Sequence, residues 1–139
     1  MTSCGDWIVT TPETPTVKGR RGEVWHANFD PPKSRGHEQA EPRPVVIVQT
    51  NDLEPLSTVV VVPLTSKLER ANFISGVHVP ATEAGLPHDS AALCEQVTTI
   101  DRRRLAYRYG EMPQQKMREI ENALHWVLEL PVIFGDSTP

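Results

Sequence analysis

Polar and apolar residues alternate along Gly22-Glu23-Val24-Trp25-His26-Ala27-Asn28-Phe29, the period of a strand with one buried face. Two later runs, Pro44-Val45-Val46-Ile47-Val48-Gln49 and Thr58-Val59-Val60-Val61-Val62-Pro63-Leu64, are β-branched without alternation and bounded by turn formers. That pattern predicts strands buried on both faces. Gly76-Val77-His78-Val79-Pro80 reads as a short edge strand ending at proline. Ser90 to Gln96 and Ala106 to Tyr109 complete the strands, with a tight turn from Ile100 to Leu105 between them and Gly110 closing the last. The polar stretch after Thr65 has helical or turn character. From Pro113 to Leu130 the period changes: Met117, Ile120, Leu124, Val127 and Leu128 fall at helical spacing, Pro113 suits the first turn, and Pro131 stops the helix.

Five or six short strands followed by one amphipathic helix predict an α+β fold, a small barrel plugged or flanked by the C-terminal helix. The 139 residues suit one domain. Residues 1–17, rich in Thr and Pro, read as a flexible arm; the domain runs over 18–131, and 132–139 form a tail. No stretch approaches the roughly 18 apolar residues of a membrane helix. The first residues lack the basic start and apolar run of a secretory signal. A soluble, cytoplasmic protein without a membrane partner is the expectation. Cys4 and Cys94, ninety positions apart, form neither a disulfide framework nor a zinc pattern.

Fourteen basic against eighteen acidic residues, net −4, argue against a constitutive duplex-DNA coat but leave room for a locally basic site. Ten of the fourteen cations are Arg, the side chain suited to bidentate phosphate contact. Arg102-Arg103-Arg104 reads either as a solvated turn or as part of such a contact. His26, His37, His78, His88 and His125 are scattered and make no metal-ligand spacing, so no metal and no cofactor are expected. His88-Asp89-Ser90 spells a triad in order, but adjacent side chains mostly point apart and working triads converge from distant positions. The dispersed aromatics, 6% of the chain, do not suggest an aromatic-lined groove.

The informative segment is Arg35-Gly36-His37-Glu38-Gln39-Ala40-Glu41-Pro42-Arg43-Pro44. Pro44 drives Arg43 toward an extended backbone, and Pro42 stiffens the approach. An Arg held at the mouth of a buried strand can receive a phosphate; equally, it can pair with Glu38 or Glu41 and organise its own loop.

Gly22-Glu23-Val24-Trp25, Phe29-Asp30-Pro31, Gly36-His37-Glu38-Gln39, Arg43 to Val48 and Asn51-Asp52 resemble the MazF/PemK family of toxin endoribonucleases. The likeness continues through Val60 to Ser66, Cys94 to Asp101 and Arg104-Leu105, covering about Arg21 to Leu130 in order. The resemblance implies an SH3-like barrel of the MazF/PemK/CcdB type. It implies a homodimeric toxin of a type II toxin–antitoxin system that cleaves single-stranded RNA sequence-specifically and without metal. It also implies a cognate MazE-like antitoxin, with DNA met only indirectly through that partner. The family's catalytic arginine and threonine fall on Arg43 and Thr65. Its supporting E-Q elements fall on Glu38 and Gln39, and on Glu95 and Gln96. His37 stands where many relatives carry serine, and reads either as a loop residue or as a proton carrier. The long arm and acidic net charge are further departures. The alternative is a fold-sharing CcdB-like toxin that acts on a protein target such as gyrase.

Overall fold

The computed structural model describes residues 18–29 and 42–131. The expected arm (1–17), the tail (132–139) and the loop carrying Arg35, His37, Glu38 and Gln39 lie outside the described residues. Seven strands are present: β1 (Glu23–Ala27), β2 (Arg43–Ile47), β3 (Thr58–Thr65), β4 (Gly76–Val79), β5 (Ser90–Leu93), β6 (Thr98–Asp101) and β7 (Leu105–Glu111). A single helical turn, α1 (Ala81–Ala84), follows β4, and the helix α2 (Gln114–Leu128) follows β7. The α+β class holds.

All pairings are antiparallel, in the order β4-β5-β3-β2-β1-β7, with β6 also on β3. The β-branched run of β3 makes this possible. Thr58 to Val61 pair with β6, Leu64 and Thr65 pair with β5, and Val61 to Pro63 pair with β2. Both faces of β2 and β3 are buried, as their patterns predict. Val46, Val62 and Leu64 enter one core beneath α2, whereas Val45, Ile47, Val59 and Val61 enter a second with Trp25, Ile100 and Leu105. Each such side chain contributes about 1.5–3 kcal/mol when fully buried.

Three elements differ from the sequence pattern. β1 buries both faces, since Val24 joins the first core while Trp25 and Ala27 join the second; its alternation reflects two cores, not one core and solvent. The strand expected to reach Gln96 stops at Leu93. Cys94–Gln96 form a 3₁₀ turn, with the Val97 N–H donating to the Cys94 carbonyl, and the chain then starts β6 against the far end of β3. β7 runs two residues past Tyr109, to Glu111. In α2, Met117, Ile120 and Ala123 are buried and Leu124 and Val127 pack against them, but Leu128 is exposed. Pro113 stands just before the helix as its N-cap, and Glu129, in the left-handed region at φ 52°, ends it. Arg21 ties helix to sheet by donating to the Val48 carbonyl and pairing with Glu121.

The turn expected from Ile100 to Leu105 is confined to Arg102–Arg104, because Ile100 and Asp101 end β6 and Leu105 begins β7; the Asp101 carboxylate caps it on the Arg103 N–H. Arg102 is a staple: its guanidinium donates to the carbonyls of Leu56, Lys18 and Gly19 and pins the start of the domain. Burial lowers its pKa. Arg103 folds back onto Asp101 with two further bonds, 3.0 Å each. These bonds, foremost among its influences, hold the Asp101 carboxyl down to about 2.

The sheet stays open between β4 and β7, and the α1 turn bridges the gap. Backbone meets backbone there: a Cβ added to Gly110 would lie 2.6 Å from the Ala84 carbonyl oxygen, and one on Gly85 (φ +74°) 2.5 Å from that of Tyr109. Gly110→Ala is therefore expected to destabilise the chain by about 1–3 kcal/mol, as overpacking does. A urea titration checks this: the midpoint should fall with the slope unchanged.

Candidate functional site

The β2–β3 ladder joins Ile47 to Val61, Val46 to Val62 and Val45 to Pro63. Beyond the end of that ladder, Arg43, the first residue of β2, and Thr65, the last of β3, line one cavity. Pro44 and Pro63 have no N–H with which to extend the ladder. The strand ends open instead into a cavity of about 420 Å³, whose wall includes Arg43, Thr65, Lys67, Arg70, His88 and Tyr109. Among the described residues the rest of the wall is Pro42, Pro44, Leu64, Ser66, Pro87 and Ser90, so the described wall carries three cationic side chains and no carboxylate.

The last residue of β3 sets its own hydroxyl. The Lys67 N–H donates to Thr65 Oγ1 at 3.3 Å, a turn that occupies an acceptor position and leaves the hydroxyl proton for another partner. The chain then enters the 3₁₀ turn Leu68–Asn72, which returns Arg70 to the cavity. Arg70 pairs with Glu95 from the turn after β5. Glu95 and Gln96 thus lie outside the cavity wall, and Glu95 reaches it through Arg70.

Tyr109, from β7, also lines the cavity. Its hydroxyl lies 3.1 Å from His26 Nδ1 and 3.4 Å from the Tyr107 hydroxyl. His26 stacks flat on Tyr107, with centroids 4.8 Å apart and planes within 3°, and Tyr109 meets both rings edge-on. Burial first, then the hydrogen bond and charge of Tyr107, push the Tyr109 phenol up to about 12, so it keeps its proton at neutral pH. Dispersed in sequence, these rings are gathered because β1 and β7 are neighbours that set His26 against Tyr107.

His88-Asp89-Ser90 is no triad. Asp89 Oδ1 accepts the Ala81 N–H at 2.8 Å, and the Ser90 hydroxyl donates to the His88 carbonyl at 3.1 Å. His88 nevertheless lines the cavity, as do Lys67 and Arg70, which were missed because nothing local marks them. Arg102 and Arg103, weighed as phosphate anchors, are committed to backbone carbonyls and to Asp101. Cys94 is a free, buried thiol whose pKa is pushed up to about 12, first by burial and then by Glu95. Among the described residues no three His, Cys, Asp or Glu gather closely enough to hold a metal ion. No helix among them is long and apolar enough to cross a membrane.

Residues 20–128 match the family described as PemK-like, MazF-like toxin of type II toxin–antitoxin systems. The endoribonuclease MazF of Staphylococcus saprophyticus is 35% identical over 115 residues, covering 82% of this chain and 94% of that one. Among solved structures, MazF from Deinococcus radiodurans superposes with a TM-score of 0.70 at 22% identity, covering 83% of this chain and all of that one. A mycobacterial endoribonuclease in complex with its cognate antitoxin superposes at 0.64 and 23% identity, covering 82% and 98%. These structures share the fold.

The raised Tyr109 pKa has a thermodynamic sign. A phenol that titrates near 10 when unfolded and about 12 when folded contributes stability that is fully present below pH 10 and is lost as pH rises through 12. Urea midpoints between pH 9 and 12 should therefore fall less steeply in Tyr109→Phe than in the parent chain.

Proposed function

The chain belongs to the PemK/MazF family of type II toxin–antitoxin toxins and is an endoribonuclease of the MazF type; from this premise we propose that Arg43 and Thr65 form the centre that cuts single-stranded RNA. One observation carries the proposal: these two residues, twenty-two positions apart in sequence, line one cavity at the ends of the paired strands β2 and β3, with Lys67 and Arg70 beside them.

The chemistry suits what the cavity holds. The ribose 2′-oxygen attacks the adjacent phosphorus as its proton departs. The new P–O2′ bond forms while the P–O5′ bond breaks, and the leaving 5′-oxygen takes up a proton. The products are a 2′,3′-cyclic phosphate and a 5′-hydroxyl. Charge builds on the non-bridging oxygens during attack, where the planar Arg43 guanidinium can donate two aligned hydrogen bonds. The Thr65 hydroxyl, its acceptor side held by Lys67 N–H, adds a donor. Lys67 and Arg70 attract the phosphates on either side. Because the nucleophile is the 2′-hydroxyl, the reaction selects RNA over DNA and proceeds without metal. Glu95, paired with Arg70, is a positioning residue. His37, Glu38 and Gln39 would contact RNA from the loop beyond Pro42.

The active form is a cytoplasmic homodimer that cuts RNA at a specific sequence, halting translation and growth until a MazE-like antitoxin binds. An acidic segment of that partner would compete with RNA for the cations of the cavity.

Arg43→Ala is expected to fold normally and to lower the cleavage rate by about 10²–10³, the usual loss for a transition-state donor. Arg43→Lys should recover only part of it, since an ammonium keeps the charge but not the fork. A folded Arg43→Ala chain that cleaves a fluorescent oligoribonucleotide at the parental rate refutes the assignment. Cleavage should also persist in EDTA, and one 2′-deoxy substitution at the cut position should abolish it while binding survives. Restoration of chelated enzyme by magnesium, or cutting of the deoxy substrate, would exclude the 2′-hydroxyl mechanism.

A further inference from the structure

The reading of the cavity as an RNA-cleaving site uses Tyr109 only as a wall, and leaves His26 and Tyr107 without a task. Yet Tyr107 is 52% exposed, while one face of its ring is covered by the parallel imidazole of His26. Tyr109, edge-on to both at 5.3 and 6.1 Å, steadies the pair and is at the same time part of the cavity wall. A tyrosine present only for packing would bury its ring. This one is held rigid by two neighbours and still presents aromatic surface to solvent, directly beside a cationic cavity of phosphate-binding character.

We infer that His26, Tyr107 and Tyr109 form a stacking platform for one nucleobase flanking the scissile phosphate, with the outer surface of the Tyr107 ring as its seat. The inference rests on the RNA-cleavage reading of the cavity. An RNA strand whose phosphate meets Arg43 and Thr65 must place a neighbouring base outside the cavity. The shared Tyr109 wall puts an aromatic surface where such a base would emerge. Every base has a π-face, so the platform binds without choosing among the four strongly, and adds affinity to the phosphate contacts. Because the ring is already ordered, little side-chain freedom is lost when the base arrives.

The test first maps the cut position. It then uses an oligoribonucleotide with a 2′-deoxy residue at that position and 2-aminopurine at each flanking position in turn. Stacking quenches 2-aminopurine, so one flanking position is expected to lose fluorescence on binding the parent chain. Tyr107→Leu should lose that quenching and raise KM for the cleavable oligonucleotide about tenfold, the loss falling on KM and not on kcat. Tyr107→Phe, which restores the ring, should restore both. A parent complex without quenching at any flanking position overturns the platform with no variant needed. Parental quenching and KM in folded Tyr107→Leu overturn it as well. A changed molecular mass of Tyr107→Leu in solution would show instead that the face joins two copies of the chain. The two readings separate cleanly. A chain that cuts RNA but shows no stacking refutes the platform alone, and one for which no cut position can be mapped refutes the cleavage reading before any probe is placed.

Discussion

Strand β3 is buried on both faces and bonded along both edges, and no other element could take its place. Val61 and Val62 point into different cores, so the strand cannot slip by one residue without exchanging the contents of the two. That constraint fixes the register with β2, and the strand ends that carry Arg43 and Thr65 open on one cavity. The same strand changes partner along its length, from β6 to β5, and the cavity opens at the end where β5 pairs with it. Core packing and site geometry are thus set by one run of β-branched residues.

Charge is divided among the arginines by what each can reach. Arg102 meets three backbone carbonyls and becomes part of the scaffold. Arg103 meets only Asp101, on a surface where such a pair stabilises little. Arg43 and Arg70 open on the cavity. Guanidinium groups serve all of these purposes because they cannot be neutralised at any physiological pH and offer several donors at fixed angles.

How far the chain itself reveals this depends on the range of the interaction concerned. β2, β3 and α2 were legible because their signals are local: consecutive β-branched residues, and Met117, Ile120 and Leu124 at helical spacing. Arg43 stood out locally, between Pro42 and Pro44 at the mouth of a buried strand, whereas Thr65 stood out only through ordered likeness to a family, since nothing local distinguishes it from the other threonines. β6 escaped because Thr98-Thr99-Ile100 becomes a strand by pairing with Thr58 to Val61, far upstream. The aromatic group escaped for the same reason. His26, Tyr107 and Tyr109 are scattered until the β1–β7 pairing joins them, and a composition of 6% aromatics cannot say whether those aromatics meet. His88 was read through its sequence neighbours, whereas its place on the cavity comes from the turn between α1 and β5.

The pairing of Arg70 with Glu95 carries one more consequence. A polyanion bound by proteins sheds condensed cations as phosphates are neutralised, and this release makes binding weaken as salt rises. A guanidinium that stays paired with its own carboxylate adds little to such release, because the Arg70–Glu95 pair brings no net charge to the strand. On the proposed RNA-cleavage reading, Arg70 would therefore bring directionality to an arriving phosphate while adding little to the steepness with which binding responds to ionic strength. Counting the cations around the cavity would overstate that steepness. The carboxylate is an internal counterion to Arg70, and would make the proposed grip on a charged strand less sensitive to the salt around it.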